Sequence, residues 1–123
     1  MPIDALIPYA HVEDVSRSIE FYRRLGLEVE NTHTVEGRLV WALMARDDAR
    51  LMLALADGPI DAANQAVLFY CWTPDVRALH AELAAAGVEV GPVTEPFYMP
   101  AGEFRVEDPD GYVLLVGQLG DAS

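Results

Sequence analysis

Apolar positions along this chain follow two rhythms. Val15, Ile19, Tyr22 and Leu25 fall on one stripe at helical spacing, with Asp14 placed to cap the start and Gly26 to close the end. Val76, Leu79 and Leu83 form a second stripe between Asp75 and Gly87. The spacing predicts helices over 14–25 and 75–86. The two units lie 61 residues apart, and the same offset relates Val15 to Val76, Gly26 to Gly87, Glu28 to Glu89 and Val29 to Val90. It continues through Asp47 and Asp108 and pairs the apolar run Leu51–Leu55 with Tyr112–Val116. One offset holding across a helix and a hairpin points to two copies of a β-α-β-β-β unit.

Between the helices, short apolar stretches separated by turn residues read as strands. In the first copy they fall near 5–12, 27–34, 38–45 and 50–56; in the second, near 66–72, 89–94, 102–107 and 112–118. Asp108-Pro109-Asp110-Gly111 is a tight-turn signal between the last two. The polar stretch 57–64 reads as a linker between repeat one (about 5–56) and repeat two (about 65–119). The expected fold is α+β: residues 1–123 as a single domain, with two small sheets forming a half-open β-barrel around a cleft, each backed by a helix.

Composition narrows the possibilities. Hydrophobic residues make up 52% of 123, enough for one core and too many for a disordered chain. Twenty acidic residues against eight basic ones give a net charge of −12. Such a surface repels nucleic-acid phosphates and acidic membranes; it is compatible with a cationic ligand, although a strong acidic balance more often serves plain solubility. A single cysteine, Cys71, offers neither a disulfide framework nor a zinc knuckle. No apolar run has the length of a membrane span, and the start lacks a basic segment followed by an apolar one, so the expected location is cytoplasmic. No serine sits in a nucleophile elbow and no glycine-rich phosphate cradle is present.

Three phrases carry a family resemblance: VEDVSRSIEFYRRLG at 12–26, LAAAGVEV at 83–90 and DPDGY at 108–112. With them the chain resembles the vicinal oxygen chelate superfamily of glyoxalases, bleomycin-resistance proteins and extradiol dioxygenases. The resemblance spans nearly the whole chain. It implies that a metal-dependent member would carry His seven residues before the capping Asp14, a ligand near 66, Glu seven residues after Asp108, and in glyoxalases a further ligand on the strand near 50–56. Here those positions hold Ile7, Ala66 and Leu115, and the strand Leu51–Ala56 has no acidic residue. Aliphatic side chains donate no lone pair to a metal. The expectation is therefore no metal and no cofactor, nearest the metal-free bleomycin-resistance branch, whose members sequester a drug. The resemblance also implies a homodimer, and exposed sheet edges give a physical reason for one.

Strand alternation predicts which side chains face the cleft. Beside Ile7, Ala66 and Leu115 it selects Tyr9, His11, Met52, Tyr70 and Trp72, with Leu68, Ala54 and Val113. Phe104 and Val106 are expected under the helix, leaving Glu103 and Arg105 inward. Phe97, Tyr98 and Met99 are placed at the rim. The candidate ligand-binding set is thus Tyr9, His11, Met52, Tyr70, Trp72, Phe97, Tyr98, Glu103, Arg105 and Leu115, with no assigned catalytic residue. Each has a plainer role open to it. His11 can bond backbone at a strand end, Tyr70 and Trp72 can belong to a core or dimer interface, and Glu103 with Arg105 can be a rim salt bridge. Met44 and Met52 can be ordinary packing, Cys71 a buried small hydrophobe, and His33 and His80 exposed. The expected function is metal-free binding of an aromatic or cationic small molecule. The alternative is a glyoxalase- or dioxygenase-like lyase or oxidoreductase using a displaced site built from His11, Glu103 or Glu13, or no metal at all.

Overall fold

A computed structural model describes residues 1–119. Its contacts divide the chain into two compact units, with the boundary after Ile60. The first contains β1 (Tyr9–Val12), α1 (Val15–Arg24), β2 (Glu28–Val35), β3 (Arg38–Arg46) and β4 (Ala49–Leu55). Its sheet runs in the order β1-β4-β3-β2, with β1 parallel to β4 and the other pairs antiparallel. The Asp14 side chain accepts from the Arg17 N–H at 3.1 Å and caps α1. At the other end, Gly26 at φ 87° lets its N–H bond Arg23 O and the Leu27 N–H bond Tyr22 O, the paired closure of a Schellman turn. Val15, Ile19 and Tyr22 bury their stripe with Ala10, Val12, Ala42, Met44, Leu51 and Leu53.

The second unit holds a short 3-10 turn (Ala62–Asn64), β5 (Leu68–Trp72), α2 (Val76–Ala85), β6 (Glu103–Glu107) and β7 (Val113–Gly117). The sheet order is β5-β7-β6, with β5 parallel and β6 antiparallel to the central β7. Asp75 caps α2 by accepting from Ala78 N–H at 3.0 Å, and Gly87 and Val88 repeat the Schellman closure onto Ala84 O and Leu83 O. Phe104, Val106, Leu114 and Val116 form the buried face of the sheet, with Val76 and Leu83 of the helix also buried.

Two expectations change. The strand predicted near 89–94 is reduced to one bridge, Thr94 to Glu103, plus a bond from Gly91 N–H to Arg105 O. Pro92 between them has no N–H to continue a ladder. His80 is not exposed on the solvent side of its helix. It is half-buried, its Nε2 lies 2.8 Å from Gly91 O, and its ring meets Phe104 edge-on at 5.0 Å.

The 61-residue repeat also has a limit. Met52 stands opposite Leu43, whereas its counterpart Val113 stands opposite Glu107 rather than Phe104. The β6–β7 ladder is displaced by three residues relative to β3–β4. Because three is odd, the side-chain alternation inverts: Leu43 lies on the helix-free face and Phe104 under the helix.

Candidate functional site

Pairing registers define the helix-free face of the second sheet. Leu68, Tyr70 and Trp72 of β5 stand opposite Val113, Leu115 and Gly117 of β7, which in turn face Glu107, Arg105 and Glu103 of β6. The β5 side chains are unusually open for their size: Leu68 is 57% exposed, Tyr70 45% and Trp72 69%. Leu115 is half-buried at the centre.

Glu103 is the polar fixture of this face, and it is only 6% exposed. The Tyr70 hydroxyl donates to its Oε2 in a short hydrogen bond, and the Tyr98 hydroxyl donates to Oε1 at 3.0 Å. The rim salt bridge open to Glu103 and Arg105 by spacing does not form. Same-face neighbours on a strand are about 6.6 Å apart, and Glu103 turns to the phenols instead. Among the described residues Arg105 makes no ion pair. It lines a concavity of about 440 Å³ with Glu89, Gly91, Glu107 and the Asp108–Gly111 turn. Burial first, then the bond to Glu103 and its charge, pushes the Tyr70 phenol up to about 12. Tyr98 is raised as well, first by its hydrogen bond to Glu103.

Tyr98 reaches Glu103 from a loop that is itself seated on the sheet. Met99 is buried, donates its N–H to Pro96 O at 2.9 Å and accepts from Gly102 N–H at 3.0 Å. Its side chain lies over Gly117, where an added Cβ would come within 3.0 Å of the methionine methyl. Phe97 stays fully open and meets Tyr98 edge-on at 5.4 Å. Sequence reasoning placed Met99 only at the rim; its packing partner is a glycine, which leaves no hydrophobic signal.

In the first unit, Tyr9 and His11 share a face with Met52 and Ala54, and their rings meet edge-on at 5.4 Å. Trp41 and Leu43 lie on the same face through the β3–β4 register. Neither was in the candidate set, although hairpin alternation pointed to both. Met44 and Cys71 have the opposite parity: Met44 is fully buried, and Cys71 is half-buried with its thiol pushed up by burial.

The donor set does not fit a superfamily metal. Ile7, Ala66 and Leu115 carry no lone pairs, and among the described residues no group of three or more His, Cys, Asp and Glu is arranged to hold an ion. A displaced site fares no better. Glu13 accepts from Ile60 N–H at 2.8 Å and faces Arg17 at 3.8 Å, while Glu103 is held by phenols.

Two βαβββ-like units, each with a helix on one face of a small sheet and a helix-free face on the other, define an α+β protein. The chain belongs to the Glyoxalase/Bleomycin resistance protein/Dioxygenase superfamily, whose model matches residues 8–116. Among solved structures it is similar to a bleomycin-binding protein complexed with bleomycin, at 17% identity and a TM-score of 0.81, covering 96% of this chain and 100% of that one. It is also similar to the bleomycin-binding protein of bleomycin-producing Streptomyces verticillus in complex with copper(II)-bleomycin, at 23% identity and a TM-score of 0.76, covering 98% and 99%. TnmS3, an antibiotic binding protein from Streptomyces sp. CB03234, matches at 24% identity and a TM-score of 0.72, covering 98% and 99%. At these identities the likeness is one of fold. A search of curated proteins gives no match. No helix among the described residues is long and apolar enough to cross a membrane.

Proposed function

We propose that this protein binds an aromatic or cationic small molecule on the helix-free face of its second sheet, without a metal. The observation that carries this reading is the row Leu68, Tyr70 and Trp72, exposed along β5 beside a half-buried Leu115. Exposed aromatic side chains gathered on one face favour stacking of a planar ligand. The superfamily neighbours that bind bleomycin and other antibiotics support the same class of function. A homodimer completes the proposal, since β1 and β5 each have one bonded neighbour and leave an open edge.

Fluorescence titration of Trp41 and Trp72 with a panel of aromatic and cationic natural products tests the binding reading. Saturable quenching that disappears in Trp72→Phe is the expected outcome; silence across the panel overturns it. Tightly held metal at one equivalent per chain, found by elemental analysis of protein purified without chelator, would refute the metal-free part. A monomeric mass by light scattering at micromolar concentration would sink the dimer.

A further inference from the structure

Glu103 is a carboxylate with 6% exposure and, among the described residues, no cationic partner. Taking an anion out of water is costly even after relaxation, and hydrogen bonds to neutral groups recover only part of that cost. Two phenol donors occupy some of its lone pairs and leave its charge uncancelled. The chain has no lysine, and arginines 17, 23, 50 and 77 are each paired with a glutamate elsewhere. Arg105, the nearest basic residue along β6, does not supply the missing charge.

The tyrosines point to what does. Each spends its hydroxyl on Glu103 while its side chain stays substantially exposed. A phenol donating to a carboxylate gains electron density in its ring, and a ring face attracts an organic cation, more strongly once the pair is desolvated. We infer that Tyr70, Tyr98 and Glu103 form a cation subsite: an organic ammonium or related nitrogen cation of the ligand packs on the two phenol rings, and the buried carboxylate is its counter-charge. The aromatic part of the same ligand would then lie on Trp72. Glu103 acts through the tyrosines as a positioning residue. This inference rests on the binding function proposed above and adds the charge of the ligand's head group.

A matched pair of probes tests it by calorimetry: N-methylacridinium, a permanent cation, and acridine at a pH where it is neutral. The wild-type protein should bind the cation about tenfold more tightly, a difference of about 1.4 kcal/mol. Glu103→Gln should abolish that preference and leave acridine affinity within about twofold. Glu28→Gln makes the same change in net charge on an exposed strand and should leave the preference intact, which separates the local carboxylate from the −12 field of the whole chain. Equal effects of Glu103→Gln and Glu28→Gln overturn the subsite. So does equal binding of both probes to the wild-type protein, which leaves the binding function standing. Failure of both probes to bind overturns the subsite, while the binding function stands or falls on the wider panel. If Glu103→Gln does not fold, Tyr98→Leu at an exposed position carries the test: the preference should fall about threefold, and an unchanged preference is fatal to the proposal.

Discussion

The Tyr70 hydroxyl donates to Glu103 Oε2 across the full width of the second sheet, from β5 over the central β7 to β6. That bond gives the fold an alkaline limit. Tyrosine ordinarily ionises near 10.0, but Tyr70 holds its proton to about 12, because of burial first and Glu103 next. Between those values the unfolded chain binds fewer protons than the folded one, so stability falls as pH rises through the window and is untouched below it. The phenolate absorbance that Tyr70→Phe removes should be one that appears only well above the ordinary tyrosine value, at about 12. Glu103→Gln should bring that late phenol forward. Loss of phenolate absorbance near 10.0 in Tyr70→Phe would contradict the geometry.

A second prediction concerns the turn before β7. Asp108 Oδ1 accepts from both Asp110 and Tyr112 N–H at 2.9 Å, which folds the turn onto a buried carboxylate. Gly111 adopts φ 85°, and an added Cβ would strike the backbone of Ala62 in the 3-10 turn. Gly111→Ala therefore combines left-handed strain of about 1 kcal/mol with a steric displacement of about 1–3 kcal/mol. Chemical denaturation should register a total loss of about 2–4 kcal/mol; a loss below about 1 kcal/mol would show that the linker simply moves away.

Much of this architecture is written in local signals. Asp14 and Gly26 bracket one helix and Asp75 and Gly87 the other, because capping and left-handed closure depend on residues near in sequence. The offset of 61 transfers those assignments from one unit to the other. What alternation could not supply was Glu103's partner. Arg105 looked natural by spacing, yet the carboxylate is met by Tyr70 from two strands away and by Tyr98 from a loop. That pairing depends on a sheet order and a loop seat that no short window contains. The lost strand near 89–94 has a simpler cause: Pro92 lies in it and has no N–H to give a ladder.

The helix caps yield a third prediction. Asp75 satisfies one of the free N–H groups at the start of α2, the helix that covers Phe104 and Val106. Asp75→Ala should cost about 1 kcal/mol, while Asp75→Asn, which keeps the acceptor oxygen, should cost only a few tenths of that. Equal losses for both variants, measured by thermal or urea unfolding, would mean that the carboxylate's charge rather than its hydrogen bond stabilises the helix.

The last prediction joins the loop to the site. Met99 carries the segment bearing Tyr98, and its methyl, sulfur and Cγ would lie 3.0, 3.1 and 3.2 Å from a Cβ at Gly117. A methionine side chain is adaptable, so Gly117→Ala should be accommodated by a shift of a few tenths of an ångström in Met99, at a stability cost near the low end of overpacking, about 1 kcal/mol. The Tyr98–Glu103 bond spans only 3.0 Å and tolerates such a shift poorly, because hydrogen bonds weaken steeply as they lengthen and bend. Gly117→Ala should therefore lower the elevated ionisation of Tyr98 and weaken binding of an aromatic cation more than its small effect on unfolding would suggest. Unfolding and binding measured on the same preparation decide the matter. A variant that loses stability while keeping the late tyrosine titration and full affinity would show that Met99 relaxes without moving Tyr98, and that the loop is anchored instead through Arg77 and Glu95, whose charged groups meet at 3.0 Å.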